Sequence, residues 1–478
     1  MNVGSQVKFY IKIDEILSNL PETLEIPQIH TIASKIVALV GDGHTFMDPL
    51  EHNEGRIWIE LEPIEEKLIV VGVYEKKFSN LIGHCLLAID EVPVEHLLSK
   101  MLEIRGANGI YENLIHLADA LKDPYTISFL TRDDISNIKK VVLTLQSFEN
   151  NSIQKIILPF SQEPPGKLIE HGSSLIRSSK TDISYKILED RVGYLKIDSM
   201  TKYRENYESQ LKLGASESFL RELLKYQGFE TNGKIEKMIS KVPSASDRIV
   251  ELLQIMIDKN IKDLIVDLRK NKGGNSYLAY ILAYFLYGDR ALEVDTGYDI
   301  ERHSAWYKDQ FNTKGDMESP GGYTFEEMHK WLSGKRGIDR DEWKEIVDLS
   351  PTFAEYERFF RFSSEIKVYV LSSARTFSAG FDLLYMLKKC GATIIGIPSS
   401  QPANAFTNTI RFSLDISGLK GWVSSKLMLK DPDKNMFYRI EPDISIGIEN
   451  YMKHEWDTNT ILIETLELIR SKRRDSNY

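Results

Sequence analysis

Three short stretches carry residue types that could hydrolyse an acyl bond: GDGHT at 41–45, DLRKNKGGN at 267–275 and TFSAG at 376–380. Serine hydrolysis needs a nucleophile, a base and donors for the oxyanion. Ser378 follows a short apolar run, Val368 to Leu371, and opens a helical pattern, with Phe381, Leu384, Tyr385 and Leu387 on one face and Lys388 and Lys389 on the other. It therefore falls at a strand-to-helix turn, at the positive end of the helix dipole, where charge on a reacting oxygen is favoured. A serine in that place is more often a plain helix cap. His44 follows a predicted amphipathic helix whose apolar face is Ile29, Ile32, Ile36, Val37 and Val40. It could serve as base, since triads assemble from any chain order; an isolated turn histidine at the surface is the commoner case. Gly273 and Gly274, between a strand and a helix, can turn backbone N–H groups into a concavity for an oxyanion, with the Ala379 N–H beside them.

The elements around these stretches read as strand, loop, helix, twice over. Lys262 to Leu268 is a buried strand that runs through the glycine pair into an apolar helix, Ser276 to Tyr287, ended by Gly288. Lys367 to Leu371 runs through Ser378 into a helix ended by Gly391, and Ala392 to Ile397 is the next strand. The expected fold class is α/β. Residues 1–52 form an N-terminal helical segment carrying His44, 55–150 a compact β-rich module, 151–182 a linker, and 183–478 the core, with insertions near 201–250 and 289–363. The second insertion holds Trp306, Trp331 and Trp343, which either cover the core or wall a substrate. The tail reads as the strands FTNTIRFSLDIS, GWVSSKLML and FYRIEPDISI and a last helix, Glu455 to Arg470.

Composition excludes several other classes. The 478 residues carry a net charge of −10 without long single-sign blocks, which argues against a nucleic-acid surface. Two cysteines, Cys85 and Cys390, cannot make a disulfide framework. No apolar run reaches membrane-spanning length and the N-terminus lacks a signal core, so the chain as written reads as cytoplasmic, and as exported if its N-terminus is truncated. HExxH, CxxC, GxGxxG and GxxxxGK[ST] are all absent, so no metal and no cofactor is expected.

Together and in order, the three motifs resemble the C-terminal-processing (tail-specific) serine peptidase family, and more closely its tricorn-like branch, which uses a histidine base. The likeness extends to IGHCLLAIDEVPVEHLL, similar to part of that family's PDZ-like module, to VGYLKIDSM, similar to the first strand of its catalytic core, and to IEPDISI, similar to its closing strand. It implies a ClpP/crotonase-like core with a PDZ-like module, a polypeptide substrate, and a serine endopeptidase with Ser378 as nucleophile, His44 as base, and Gly273 or Gly274 with Ala379 as oxyanion hole. It allows a homo-oligomer. The family's serine–lysine dyad is not expected, because no lysine occurs from Ala392 to Leu419. The third catalytic member is open among Glu441, Asp443, Gln401 and none, with Asn404 a further candidate to orient the histidine. Two rivals are a binding protein on the same scaffold and a non-peptidase acyl hydrolase.

Overall fold

The computed structural model describes residues 3–172, 182–189, 191–295, 297–301, 337–362 and 365–475. The chain divides into two compact units. One comprises Met1–Gly172, Ala405–Lys426 and Tyr451–Thr458; the other comprises Ser173–Asn404, Leu427–Asn450 and Asn459–Tyr478.

The first unit opens with helices Val3–Ser18 and Ile26–Ala38. A reciprocal capping box, Glu25 with Gln28, and Pro27 in the first turn start the second helix. After the short strand β1 (Phe46–Met47) comes an antiparallel sheet of β2 (Ile59–Ile64), β3 (Lys67–Val73), β4 (Cys85–Ile89), β6 (Lys140–Gln146) and β7 (Ile153–Pro159), in that spatial order. A two-residue strand, β5 (Val92–Pro93), folds back on β4 through Asp90 and Glu91, both left-handed as a tight hairpin turn requires. Helices Val94–Ile104, Ile110–Ala120 and Pro124–Arg132 lie between β5 and β6. Alternation fixes the faces of β6: Val141, Leu143 and Leu145 are fully buried and the residues between them are not. Residues 153–159, which the sequence reads as linker, are strand β7, paired with β6 along its whole length. It is an outer strand with Ile153 and Ile157 exposed, so the burial signal of a strand is weak there.

The second unit is built on a sheet of β8 (Ile183–Leu188), β9 (Val192–Ile197), β10 (Asp263–Asp267), β12 (Lys367–Ser372), β13 (Thr393–Gly396) and β16 (Ile444–Ser445). Its order is β16-β13-β12-β10-β9-β8. All neighbours are parallel except β8, which is antiparallel to β9. A short strand β11 (Tyr298–Glu301) also belongs to this unit, and β14 (Asn404–Ser413) and β15 (Lys420–Leu429) begin and end in it while their residues 405–426 belong to the first. β10 is buried at every position, as a central strand covered on both faces must be. Nine residues of helix Tyr277–Tyr287 and eight of helix Ala379–Lys389 are buried, and both join one core with helix Ala245–Asp258 and the strands. This is an α/β fold.

Trp343 is 3% exposed and packs on Tyr284, with ring centroids 4.5 Å apart, so this tryptophan covers the core. Trp306, Trp331 and the serines 173–179 lie outside the described residues. The C-terminal helix expected at Glu455–Arg470 starts later, at Thr460, and runs to Asp475, and a separate short helix, Ile448–Lys453, precedes it. Glu455 and Trp456 are both left-handed, which a continuous helix forbids.

Candidate active site

Parallel pairing brings the carboxyl ends of β9, β10, β12 and β13 to one edge of the second unit's sheet, the edge at which open α/β sheets present their loops. The loop after β12 is knitted to the loop after β10 by short polar side chains. Thr376 Oγ1 donates to the Leu268 carbonyl (2.9 Å) and Ser373 Oγ to that of Arg269 (2.6 Å). The Phe377 N–H donates to the Asn271 carbonyl (2.9 Å). The loop after β13 closes on the same place, with Ser399 Oγ on the Thr376 carbonyl (2.6 Å).

Ser378 sits at the end of this construction. Its φ of 52° and ψ of −128° lie in a region that L-residues avoid, at a cost of about 1–3 kcal/mol. Its hydroxyl makes no capping bond to the helix Ala379–Lys389 that it precedes. A serine kept for capping would take the extended backbone from which its oxygen reaches the next turn, so the conformation speaks against the plain-cap reading. The Ser378 N–H donates to Gln401 Oε1 (2.6 Å), which helps hold the turn.

Gly273 and Gly274 lie against it. A Cβ on Gly273 would fall 2.6 Å from Ser378 Cβ and 2.9 Å from the Ala379 nitrogen, and its φ is 101°. Only glycine lets these backbones meet. The Gly273 N–H is taken by Asn271 Oδ1 (2.9 Å), an Asx turn that shapes the loop. Gly274 (φ 138°) is bridged to Met200 next to the end of β9, through the Gly273 carbonyl (2.8 Å) and the Asn275 N–H (2.8 Å); the Gly274 N–H is not part of that bridge.

His44 belongs to the first unit, on the loop between helix Ile26–Ala38 and β1. It is only 6% exposed, not a surface turn residue. Asp42 builds the loop: its carboxylate accepts the His44 N–H (2.7 Å), the Thr45 hydroxyl (2.7 Å) and the Ser424 hydroxyl (2.9 Å). Beneath it is Glu112, from helix Ile110–Ala120. A Cβ on Gly43 would fall 1.9 Å from Glu112 Oε1, so the residue before His44 has no room for a side chain. Glu112 Oε2 accepts the Asn108 N–H (2.6 Å). Burial pushes the Glu112 carboxyl up from its ordinary value near 4.5 to about 7, against the pull of Arg105. Burial likewise brings Arg105 down to about 10, and its guanidinium lies 3.6 Å from the centroid of the Phe46 ring. His116, with Nε2 3.8 Å from Glu112 Oε1, is held well below its ordinary pKa by burial and by Arg105.

The second unit thus brings together Ser378, Ala379, Gly273, Gly274 and Gln401. The remaining candidates have other partners. Asp443 pairs with Lys388 (2.5 Å) and accepts the Ile394 N–H (2.8 Å). Glu441 pairs with Arg439 (2.7 Å) at the surface. Asn404 donates to the carbonyls of Asp431 (2.8 Å), Lys434 (2.9 Å) and Asn435 (3.2 Å). Asn271 was missed from sequence, although an asparagine two residues before a glycine pair is a readable Asx-turn signal. Glu112 carried no such signal, because burial of one acid on an amphipathic helix depends on tertiary packing.

The parallel core thus delivers a strained serine and a glycine pair to one loop edge. The model of "Peptidase family S41" matches residues 191–446, more than half of the sequence. The chain belongs to peptidase family S41 and is a serine peptidase, a hydrolase of polypeptides. No curated protein matches it in sequence. Among solved structures it is similar to mature CPAF complexed with lactacystin, at 14% identity and a TM-score of 0.57, over 96% of this chain and 92% of that one. Mature CPAF alone is similar at 13% identity and 0.56, over 96% and 91%. The photosystem II D1 C-terminal processing protease overlaps at 11% identity and 0.39, over 92% and 87%. Among the described residues, no helix is long and apolar enough to cross a membrane.

Proposed function

We propose that the chain is a serine endopeptidase in which Ser378 is the nucleophile and His44 the base. Ser378 Oγ attacks the scissile carbonyl as His44 takes its proton. His44 then returns the proton to the leaving amine, and water attacks the acyl-enzyme by the same route in reverse. The N–H groups of Ala379 and Gly274 receive the oxyanion, while Gly273 brings the loop against Ser378. One such donor is worth about 2.7–4 kcal/mol in the barrier. The observation that carries the reading is the strained Ser378 turn with the glycine pair pressed against it. The antiparallel sheet of the first unit is part of the same proposal: as a PDZ-like module it would take an extended peptide along an outer strand.

Casein cleavage by wild type, Ser378→Ala and His44→Ala tests it. Activity in wild type and loss of roughly 10⁴-fold or more in both variants is the expected result. Full activity in either variant contradicts it. Hydrolysis of small esters with casein spared would favour the acyl-hydrolase alternative. Lactacystin, with which mature CPAF was solved, is a suitable inhibitor to compare.

A further inference from the structure

The two helices that start at the site are joined by a polar link between their first turns. Ser276 holds the N-cap position of helix Tyr277–Tyr287, yet its hydroxyl does not cap that helix. It donates instead to Asp382 Oδ2 at 2.5 Å. Asp382 lies in the first turn of helix Ala379–Lys389, and its own N–H donates to the Ser378 carbonyl (3.0 Å). Lys430 Nζ stands 3.0 Å from the other carboxylate oxygen, with the lysine side chain only 10% exposed. Lys430 is fixed in turn. Its carbonyl accepts the Tyr385 hydroxyl (2.6 Å), its N–H donates to the Ala403 carbonyl (3.2 Å), and its ammonium lies 5.5 Å from the Tyr385 ring centroid. Burial lowers the pKa of that ammonium, but the Asp382 and Asp299 carboxylates outweigh burial and hold it above the ordinary lysine value.

With the Lys430 side chain 10% and the Asp382 side chain 21% exposed, the ion pair is only partly buried, and stability alone does not explain such a pair. Geometry does. A single residue, Asn275, separates Gly274 from Ser276, and its N–H is already bound to Met200. The loop therefore has no slack between the glycine pair and the Ser276 hydroxyl.

We propose that Asp382 is a positioning residue: with Lys430 as counter-ion, it clamps Ser276 to the helix that follows Ser378 and keeps the Gly273-Gly274 loop in register with the serine. The inference rests on the reading of Ser378 as nucleophile.

Kinetics of Ser276→Ala, Ser276→Thr and Asp382→Asn on fluorogenic casein test it, alongside fluorophosphonate labelling of wild type and Ser378→Ala. A loosened loop weakens transition-state binding more than substrate binding. Ser276→Ala should then lose about tenfold in kcat with KM unchanged. Ser276→Thr keeps a hydroxyl and should recover most of the rate, and Asp382→Asn should lose at least as much as Ser276→Ala. Wild-type kcat in Ser276→Ala overturns the clamp. So does an equal loss in Ser276→Thr, or a loss that merely follows the folded fraction measured by circular dichroism. Because Ser276→Ala removes one oxygen, the test survives if Asp382→Asn does not fold. A wild type that the probe does not label, or a Ser378→Ala that still labels, overturns the nucleophile reading itself, whatever the Ser276 variants do.

Discussion

The Ser378 turn and the His44 loop are held by opposite means. Ser378 takes a backbone conformation that its own side chain disfavours, and neutral partners restrain it: Gln401, Asn271 and the hydroxyls of Thr376, Ser373 and Ser399. The His44 loop is a relaxed Asx turn on Asp42, but it rests on Glu112, a carboxyl buried beside Arg105 and His116. The serine turn stores conformational strain, with the Asp382–Lys430 pair in the next turn of its helix, whereas the histidine loop rests on a carboxyl that burial raises to about 7. Strain does not change with pH, so the turn should present the same geometry across the neutral range. A buried carboxyl does respond to pH, so the stability of the histidine loop should vary where the serine turn does not.

After loss of Ser378 or His44 themselves, Gly273→Ala gives the largest expected effect. A methyl 2.6 Å from Ser378 Cβ must push the loop and the turn apart. The expected loss is about 10²–10³-fold in kcat, comparable to removing an oxyanion donor. Steady-state kinetics on folded protein checks it, and unchanged kcat would mean that the contact carries no catalytic weight.

Glu112→Gln separates the two regions by pH. The folded chain binds the Glu112 proton more tightly than the unfolded chain does, because the folded value lies above the ordinary one. Stability from this group is therefore full below about pH 4.5 and is lost as pH rises through about 7, at most about 3 kcal/mol. Glutamine is neutral throughout and can still accept the Asn108 N–H. The variant should match wild type near pH 5, exceed it near pH 8, and show a flatter Tm profile between. An unchanged profile would show that Glu112 does not titrate there.

Ser378→Gly gives the smallest effect and probes the strain. Glycine accepts the φ of 52° freely, so this variant should be more stable than Ser378→Ala by about 1 kcal/mol, seen as a higher Tm. Equal values would remove strain from the account.

Much of this was legible in the sequence wherever the signal was local. Val368 to Leu371 and Leu264 to Val266 are short apolar runs rich in β-branched residues, which read as covered strands. The glycine pair and Ser378 stood where each run turns into a helix. Signals that depend on tertiary pairing were silent. Lys430 and Asp382 are far apart in sequence, and nothing in either neighbourhood announces the other. Strand β7 falls in the stretch that Pro164-Pro165-Gly166 and the serines after it mark as linker, and with Ile153 and Ile157 facing outward its own alternation marks no core to oppose that reading. Glu455 and Trp456 are left-handed, which periodicity does not report, so the last helix starts at Thr460 and not at Glu455.

The most direct measurement is fluorophosphonate labelling of wild type, Ser378→Ala and His44→Ala, with the adduct mapped by peptide mass spectrometry. The account predicts one adduct, on the peptide carrying Ser378, absent in Ser378→Ala and strongly slowed in His44→Ala. An adduct on another serine, or a His44→Ala that labels at the wild-type rate, would contradict it.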